Sequence, residues 1–306
     1  MPNTINYQSL SKTLSIPRIQ SYKTLFIDHT DQEIYGIYLW NKALCGAIYP
    51  ILQAAEIALR NSIDSVAREL HGDYWYESIP HYQDTDADGN LVNNKNYKSL
   101  KDSLNNAKRS VNRTLRKTQN IPDGHKPSFD KVISETNFVV WEYVLHPCFF
   151  KVGDRNFLWP TKTRKAFSNW PHQSAKDTHT RLYDLVSEIR PFRNRLSHHE
   201  PLWKGTTVTT EIEAIEFISK KIKAIEELLH IICDEKVKYL NLQSLFRKAK
   251  GLSSKKALDR YRYRSKSQQL SLKHKRKVKQ FLFEAHDNDL ATIFEYGGRT
   301  FTIERA

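Results

Sequence analysis

The sequence predicts an all-α fold. Three observations carry that expectation. Apolar residues recur at spacings of three and four in several long segments. Strand-like alternation is nearly absent before residue 290. The 306 residues include only 10 Gly and 11 Pro. Such a length suits one large domain or two smaller ones. The chain reads as an N-terminal segment (1–33), a helical domain (34–241) and a basic extension (242–306).

Residues 1–33 show no sustained period. From Ile34 to Leu70 the pattern is helical, with Leu52, Ala55, Leu59, Ile63, Val66 and Leu70 on one stripe. Pro50 is expected to divide or kink this stretch, and Gly72 supplies a stop. The loop Ser78–Asn94 contains Asp84, Asp86, Asp88, Gly89 and Asn90, which begins like a calcium-binding loop. Its last ligand position, which needs a bidentate Glu, is Lys95, so a turn-rich acidic loop is the better account.

A second stripe, Tyr97, Leu100, Leu104, Ala107, Val111 and Leu115, predicts a helix with basic residues on its other faces. Asn120–Pro127 reads as loop. Phe129–Leu145 reads as one buried, aromatic-rich helix closed by Pro147, and Phe157–Pro171 as short and broken. A helix starting near Asp177 puts Leu182, Leu185, Val186 and Ile189 on one face. The last long helix, about Glu211–Leu240, carries the seam Ile215, Ile218, Ile222, Ile225, Leu229 and Ile232. That seam suits either the core or a second subunit. Thr300–Glu304 alternates weakly, as a strand would, and Trp75, Trp141, Trp159 and Trp170 are expected in the core.

Several classes are set aside by composition. Cys45, Cys148 and Cys233 are far apart with no CxxC, which is neither a disulfide framework nor a zinc site and fits a reducing compartment. No run of about 18 apolar residues occurs, and Met1–Leu14 lacks the apolar core of a secretory signal. A cytoplasmic protein without a membrane partner is expected.

The net charge of +14 is concentrated. Arg247–Lys279 holds fourteen Lys/Arg against Asp259 alone, and Lys95–Lys117 holds eight against Asp102 alone; the rest is mildly acidic. A polyanion partner follows, because each neutralised phosphate releases counterions. In the first helix the candidates are Lys108, Arg109, Arg113 and Arg116. In the extension they are Arg260, Arg262, Arg264, Lys273, Lys275, Arg276 and Lys277, with Tyr261 and Tyr263 interleaved as stacking platforms for unpaired bases. The bland alternative for both segments is a solvated basic surface.

Chemistry concentrates in Glu188–Trp203, EIRPFRNRLSHHEPLW, where Pro201 is expected to end the helix. Asn194 and His198 are four apart and share a helix face, and Arg193 lies about 100° round the axis. Imidazole can move a proton near neutral pH, and guanidinium can hold a phosphorane's developing charge. RNA brings its own nucleophile, the 2′-hydroxyl, so the chemistry requires no metal and no cofactor. The same residues also suit a plain helix terminus, where His and Arg favour the macrodipole. Arg195 and His199 stand as alternatives to Arg193 and His198. Glu56 and Arg60, four apart, read equally as an intrahelical pair or as a polar shell for the motif helix.

RNRLSHHEP resembles the signature of the Abi-like (abortive phage infection) family within the HEPN superfamily, an Arg followed a few residues later by His, often with Asn after the Arg. Leu39–Asn61, ending in Glu56, Arg60 and Asn61, is similar to that family's early helix. Ser134–Trp141 and Phe157–Pro160 resemble two of its later segments. Thr136-Asn137-Phe138 departs from the Ser/Thr-Phe-Gly expected there. The resemblance covers roughly residues 20–235. It implies a HEPN-like helical bundle acting as a metal-independent endoribonuclease, commonly a homodimer with two motifs facing. His198 would be general acid/base, Arg193 the phosphorane clamp and Asn194 an orienting residue. Products would end in 2′,3′-cyclic phosphate and 5′-hydroxyl. The resemblance also implies phage defence or a toxin–antitoxin pair, some family members being restrained by a structured non-coding RNA. A non-catalytic RNA-binding module is the alternative.

Overall fold

The structure is a computed structural model that describes residues 6–119, 121–122, 124–169, 174–262, 268–269, 276, 279, 283, 292–296 and 299–303. Helices dominate, so the all-α expectation holds. The chain forms two compact units that interleave along the sequence. The first comprises Met1–Ala47, His199–Ser219 and Ser244–Ala306; the second comprises Ile48–His198 and Lys220–Gln243.

In the first unit, α1 (Tyr7–Leu14) is capped by the Asn6 side chain, which accepts from the Ser9 amide at 3.2 Å. α2 (Ile16–Lys23) carries Pro in its first turn, where the missing amide hydrogen costs nothing. α3 (Asp31–His71) begins here on Asp31 and Glu33, acids that suit a helix N-terminus. The start of the basic extension is folded as α11 (Leu245–Leu252) and α12 (Lys255–Tyr261), preceded in the chain by α10 (Asp234–Leu242). Trp40 Nε1 donates to the Leu252 carbonyl at 2.8 Å. Gly36 is required by a close approach, since a Cβ there would stand 2.1 Å from the Tyr261 carbonyl oxygen. Strands β3 (Gln268–Gln269), β4 (Thr292–Tyr296) and β5 (Arg299–Ile303) form a small sheet, β3 parallel and β5 antiparallel to β4. β5 is the expected C-terminal strand.

In the second unit, α3 continues through Pro50 as one helix, neither divided nor ended there. Proline removes one backbone bond, but Ile48, Ile51 and Leu52 are buried around it, and that burial keeps the helix going. Gly72, at φ +75°, stops it as expected. By composition α3 is long and apolar enough to cross a bilayer. Its apolar stripe is instead buried within the protein.

The acidic loop forms a two-stranded hairpin, β1 (Gln83–Thr85) and β2 (Leu91–Asn93). Sequence reading missed it because three-residue strands carry no resolvable period. Asp86 turns the chain by accepting from the amides of Asp88 (3.0 Å) and Asn90 (2.8 Å), an Asx turn. α4 (Lys95–Gln119) buries all six residues of the second stripe. The single helix expected over Phe129–Leu145 is two, α5 (Phe129–Ser134) and α6 (Phe138–Val144). Thr136 Oγ1 donates to the Ile133 carbonyl at 2.7 Å and Asn137 is extended, which separates them. α7 (Thr163–Ala166) is one short turn.

α8 (Ala175–Ser197) starts at Ser174, whose hydroxyl accepts from the Asp177 amide at 3.1 Å. The helix expected over Glu211–Leu240 breaks at Cys233, φ −164° and ψ 105°, into α9 (Glu211–Ile232) and α10. Its seam from Ile218 to Ile232 is already buried within the chain. Trp75, Trp141 and Trp159 are fully buried, as expected; Trp170 lies outside the described residues.

Two outcomes follow. Ala normally stabilises a helix over Gly by about 1 kcal/mol, but Gly36→Ala should cost about 1–3 kcal/mol through overpacking against Tyr261; urea unfolding gives the sign. His179 is buried beside the rings of Phe150 and Trp159, and burial, with His146 second, pushes its pKa down to about 4. A base held below its unfolded pKa is protonated preferentially in the unfolded chain. Its stability contribution is therefore complete above about pH 6.5 and lost as pH falls toward about 4, roughly 3 kcal/mol in all. Thermal unfolding between pH 7 and 4.5 should accordingly show a shallower acid decline in His179→Leu than in wild type.

Candidate functional site

On α8, about 100° per residue places Thr178, Leu182, Leu185, Val186, Ile189, Phe192 and Leu196 within one arc of about 120°, and all seven are buried. Arg193 falls inside that arc, where the period calls for an apolar side chain. Asn194 and His198 fall together outside it. On α3, Leu52, Ala55, Leu59, Ile63 and Ala67 are buried within one arc of about 120°, and Glu56 falls inside it near one edge.

These two exceptions meet. Arg193 Nε lies 3.6 Å from Glu56 Oε2, with the side chains 30% and 21% exposed. A half-buried charge needs a partner, and each supplies the other's. Glu56 therefore reaches the motif helix. Among the described residues it does not pair with Arg60, whose Nε donates to Asn61 Oδ1 at 3.2 Å. Arg195 is half-buried on the next face round.

The helix ends earlier than Pro201. His198 is its C-cap, at φ −87° and ψ 3°, and its amide donates to the Asn194 carbonyl at 2.9 Å. That bond stacks Asn194 and His198 one turn apart, as the spacing predicted. His199 then takes φ 57° and carries the chain out of the helix. The His198 and His199 side chains are exposed and Asn194 is half-exposed; among the described residues the side chains of all three make no hydrogen bond. The arrangement can present an imidazole and an amide to a ligand at the end of the helix.

Sequence reasoning missed Asn41. This residue of the first unit is fully buried; its Nδ2 donates to Tyr22 Oη (3.0 Å) and the Glu200 carbonyl (3.1 Å), and its Oδ1 accepts from the Leu202 amide (3.2 Å). Burial holds the Tyr22 phenol far above its usual range, so it remains a hydroxyl. Trp203 packs against the rings of Tyr22, Phe26 and Trp40. The signal was available: Asn41 is a polar residue on the apolar stripe of α3.

The basic candidates divide. Arg109, Arg113 and Arg116 are exposed on α4. Lys108 lies 3.7 Å from Glu77 and over the Tyr74 ring. Arg260 and Tyr261 are half-buried on α12, with the guanidinium 5.5 Å from the tyrosine ring centre. Arg276 is exposed. Tyr263, Arg264, Lys273, Lys275 and Lys277 lie outside the described residues.

Arg262 corrects its expectation as a surface contact. Its side chain is completely buried, where it pairs with Asp259, with Glu211 at 2.6 Å and with His29 Nε2 at 2.8 Å. Burial opposes ionisation of Glu211 and Asp259, yet Lys255 and Arg262 hold both carboxyls below their usual range.

An α-helical protein with an Arg–Asn–His cluster at the end of a core helix, the Arg tethered to a Glu on another core helix, is the class defined here. Residues 3–204 match the family described as Abi-like protein. The chain belongs to that family, which points to a part in abortive phage infection. No curated protein and no solved structure matches the chain.

Asn41→Leu should leave the Leu202 amide and Glu200 carbonyl without their partner and cost about 2–3 kcal/mol. Denaturant unfolding together with faster hydrogen exchange at Leu202 checks this. Unchanged exchange there would mean the segment is held by its tryptophan alone.

Proposed function

We propose that this protein is a metal-independent endoribonuclease of the HEPN type, acting in the cytoplasm in phage defence or as the toxin of a toxin–antitoxin pair. The observation that carries the reading is the pairing of Arg193 with Glu56 on the core side of a helix whose open end presents Asn194 and His198. A helix terminus with no further role has no need of an arginine on its apolar arc.

In the reaction the 2′-oxygen attacks the adjacent phosphorus and the bond to the 5′-oxygen breaks. One proton leaves the 2′-hydroxyl and one is delivered to the departing 5′-oxygen, giving a 2′,3′-cyclic phosphate and a 5′-hydroxyl. His198 moves a proton, Arg193 holds the phosphorane's charge, and Asn194 orients the imidazole or the phosphate. Because two protons move, two facing copies of the motif in a homodimer suit the step. The basic extension suits a structured non-coding RNA that restrains the activity until it is released.

Wild type should cleave total cellular RNA in EDTA, leaving cyclic phosphate ends. His198→Ala should lower the rate by about 10²–10⁴, the usual contribution of a positioned acid/base, with an unchanged circular dichroism spectrum. Unaltered cleavage in the His198→Ala/His199→Ala double variant removes the mechanism. RNA binding without turnover under every condition leaves a binding module.

A further inference from the structure

We propose that the outer face of α4 is where the protein grips the backbone of its RNA. This rests on the reading of the protein as one that acts on RNA. At about 100° per residue, Asn112, Arg116, Arg109, Arg113 and Lys117 lie within one arc of about 140°, and they span about 12 Å of axis. The apolar stripe of the helix points the other way and is buried. These five residues line an open groove of about 470 Å³, and no acidic side chain is among them.

What sets these cations apart is that they cluster along one groove, whereas several other surface lysines each face an acid. Lys23 pairs with Asp31 at 2.9 Å, Lys165 with Glu69 at 2.8 Å, Lys204 with Glu200 at 2.6 Å and Lys238 with Glu235 at 2.7 Å. Such faces neutralise themselves. On the α4 groove, Arg109 instead donates to the neutral Asn106 side chain at 3.2 Å. Among the described residues neither Arg113 nor Lys117 pairs with an acid. Asn112 is turned by its Nδ2, which donates to the His125 carbonyl at 3.0 Å, and its Oδ1 is buried without a partner.

Like charges crowded along a groove repel one another unless a polyanion fills it. An arginine fork matches a phosphate's geometry. About 12 Å of helix corresponds to three or four phosphates at the axial rise of one duplex strand, about 3.4 Å each. The groove belongs to the same compact unit as Arg193 and His198, so one unit supplies both the grip and the reacting groups.

The test uses the full-length His198→Ala protein and a labelled structured RNA, with affinity measured as salt is varied. Arg109→Gln/Arg113→Gln/Lys117→Gln should weaken binding at least about tenfold near 100 mM salt. It should also lower the slope of log affinity against log salt by about two to three, as expected for three lost phosphate contacts. Lys176→Gln/Lys220→Gln/Lys223→Gln removes equal charge from other exposed positions and should change affinity less than about twofold. Equal weakening by both sets overturns the groove, as does full affinity in the first set. Equal competition by duplex DNA overturns its assignment to RNA.

The two proposals fail separately. Binding that depends on the groove, with no cleavage by wild type, leaves the groove and removes the nuclease. Cleavage that depends on His198, with a KM indifferent to the groove residues, does the reverse.

Discussion

Two apolar stripes, each interrupted by one formal charge, govern the second unit. Glu56 breaks the stripe of α3 and Arg193 breaks that of α8, and the two meet at 3.6 Å. Either one alone would be a partly desolvated charge without a partner. Together they are tolerated, and they constrain how the helices face each other in rotation, because a quarter turn of either would separate the pair. The turn that follows Arg193 therefore has a fixed heading. Asn194 and His198 project from it on the open side, outside the arc that buries Leu182 to Leu196.

The surface charges obey the same reasoning in reverse. Lysines facing acids at under 3 Å on exposed helices contribute little to stability and need no partner molecule. Arg262 is the extreme case. Its cationic side chain is drawn inside the first unit and matched by Glu211 and Asp259. It anchors the end of α12 midway along the basic stretch Arg247–Lys279. Net charge alone does not separate these cases from the α4 groove. The position of each cation's nearest acid, together with the crowding of several cations along one groove, does.

Periodicity made much of this legible. The six buried positions of α4 and the buried arc of α8 are the ones that spacing selects, since burial of one helix face leaves a regular mark. Breaks were less readable. The ends of α5 and α9 are set by single residues, Thr136 with its hydroxyl on a carbonyl and Cys233 with an extended backbone, and neither disturbs the apolar count. The hairpin at Gln83–Asn93 is too short for any period. For the site, Arg193, Asn194 and His198 stand together in the sequence and were visible at once. Asn41 is marked only as a polar residue on an apolar stripe; what it holds is not, because its partners lie 159 and 161 residues away on the backbone of Glu200 and Leu202. A backbone partner has no side-chain signature.

A carboxylate beside Arg193 raises the question of whether Glu56 quenches the cation that a phosphorane needs. The geometry argues otherwise. Its carboxylate approaches Arg193 through Nε, at a distance longer than a hydrogen bond, and among the described residues the terminal amino groups of that guanidinium make no hydrogen bond. Arginine carries five donors in a rigid planar fork. A partner at the Nε edge sets the plane of the fork and leaves the outer edge for a second anion. In the proposed reaction that anion is the scissile phosphate. Glu56 then contributes orientation, and it also lowers the cost of keeping a guanidinium on the apolar arc while no RNA is bound.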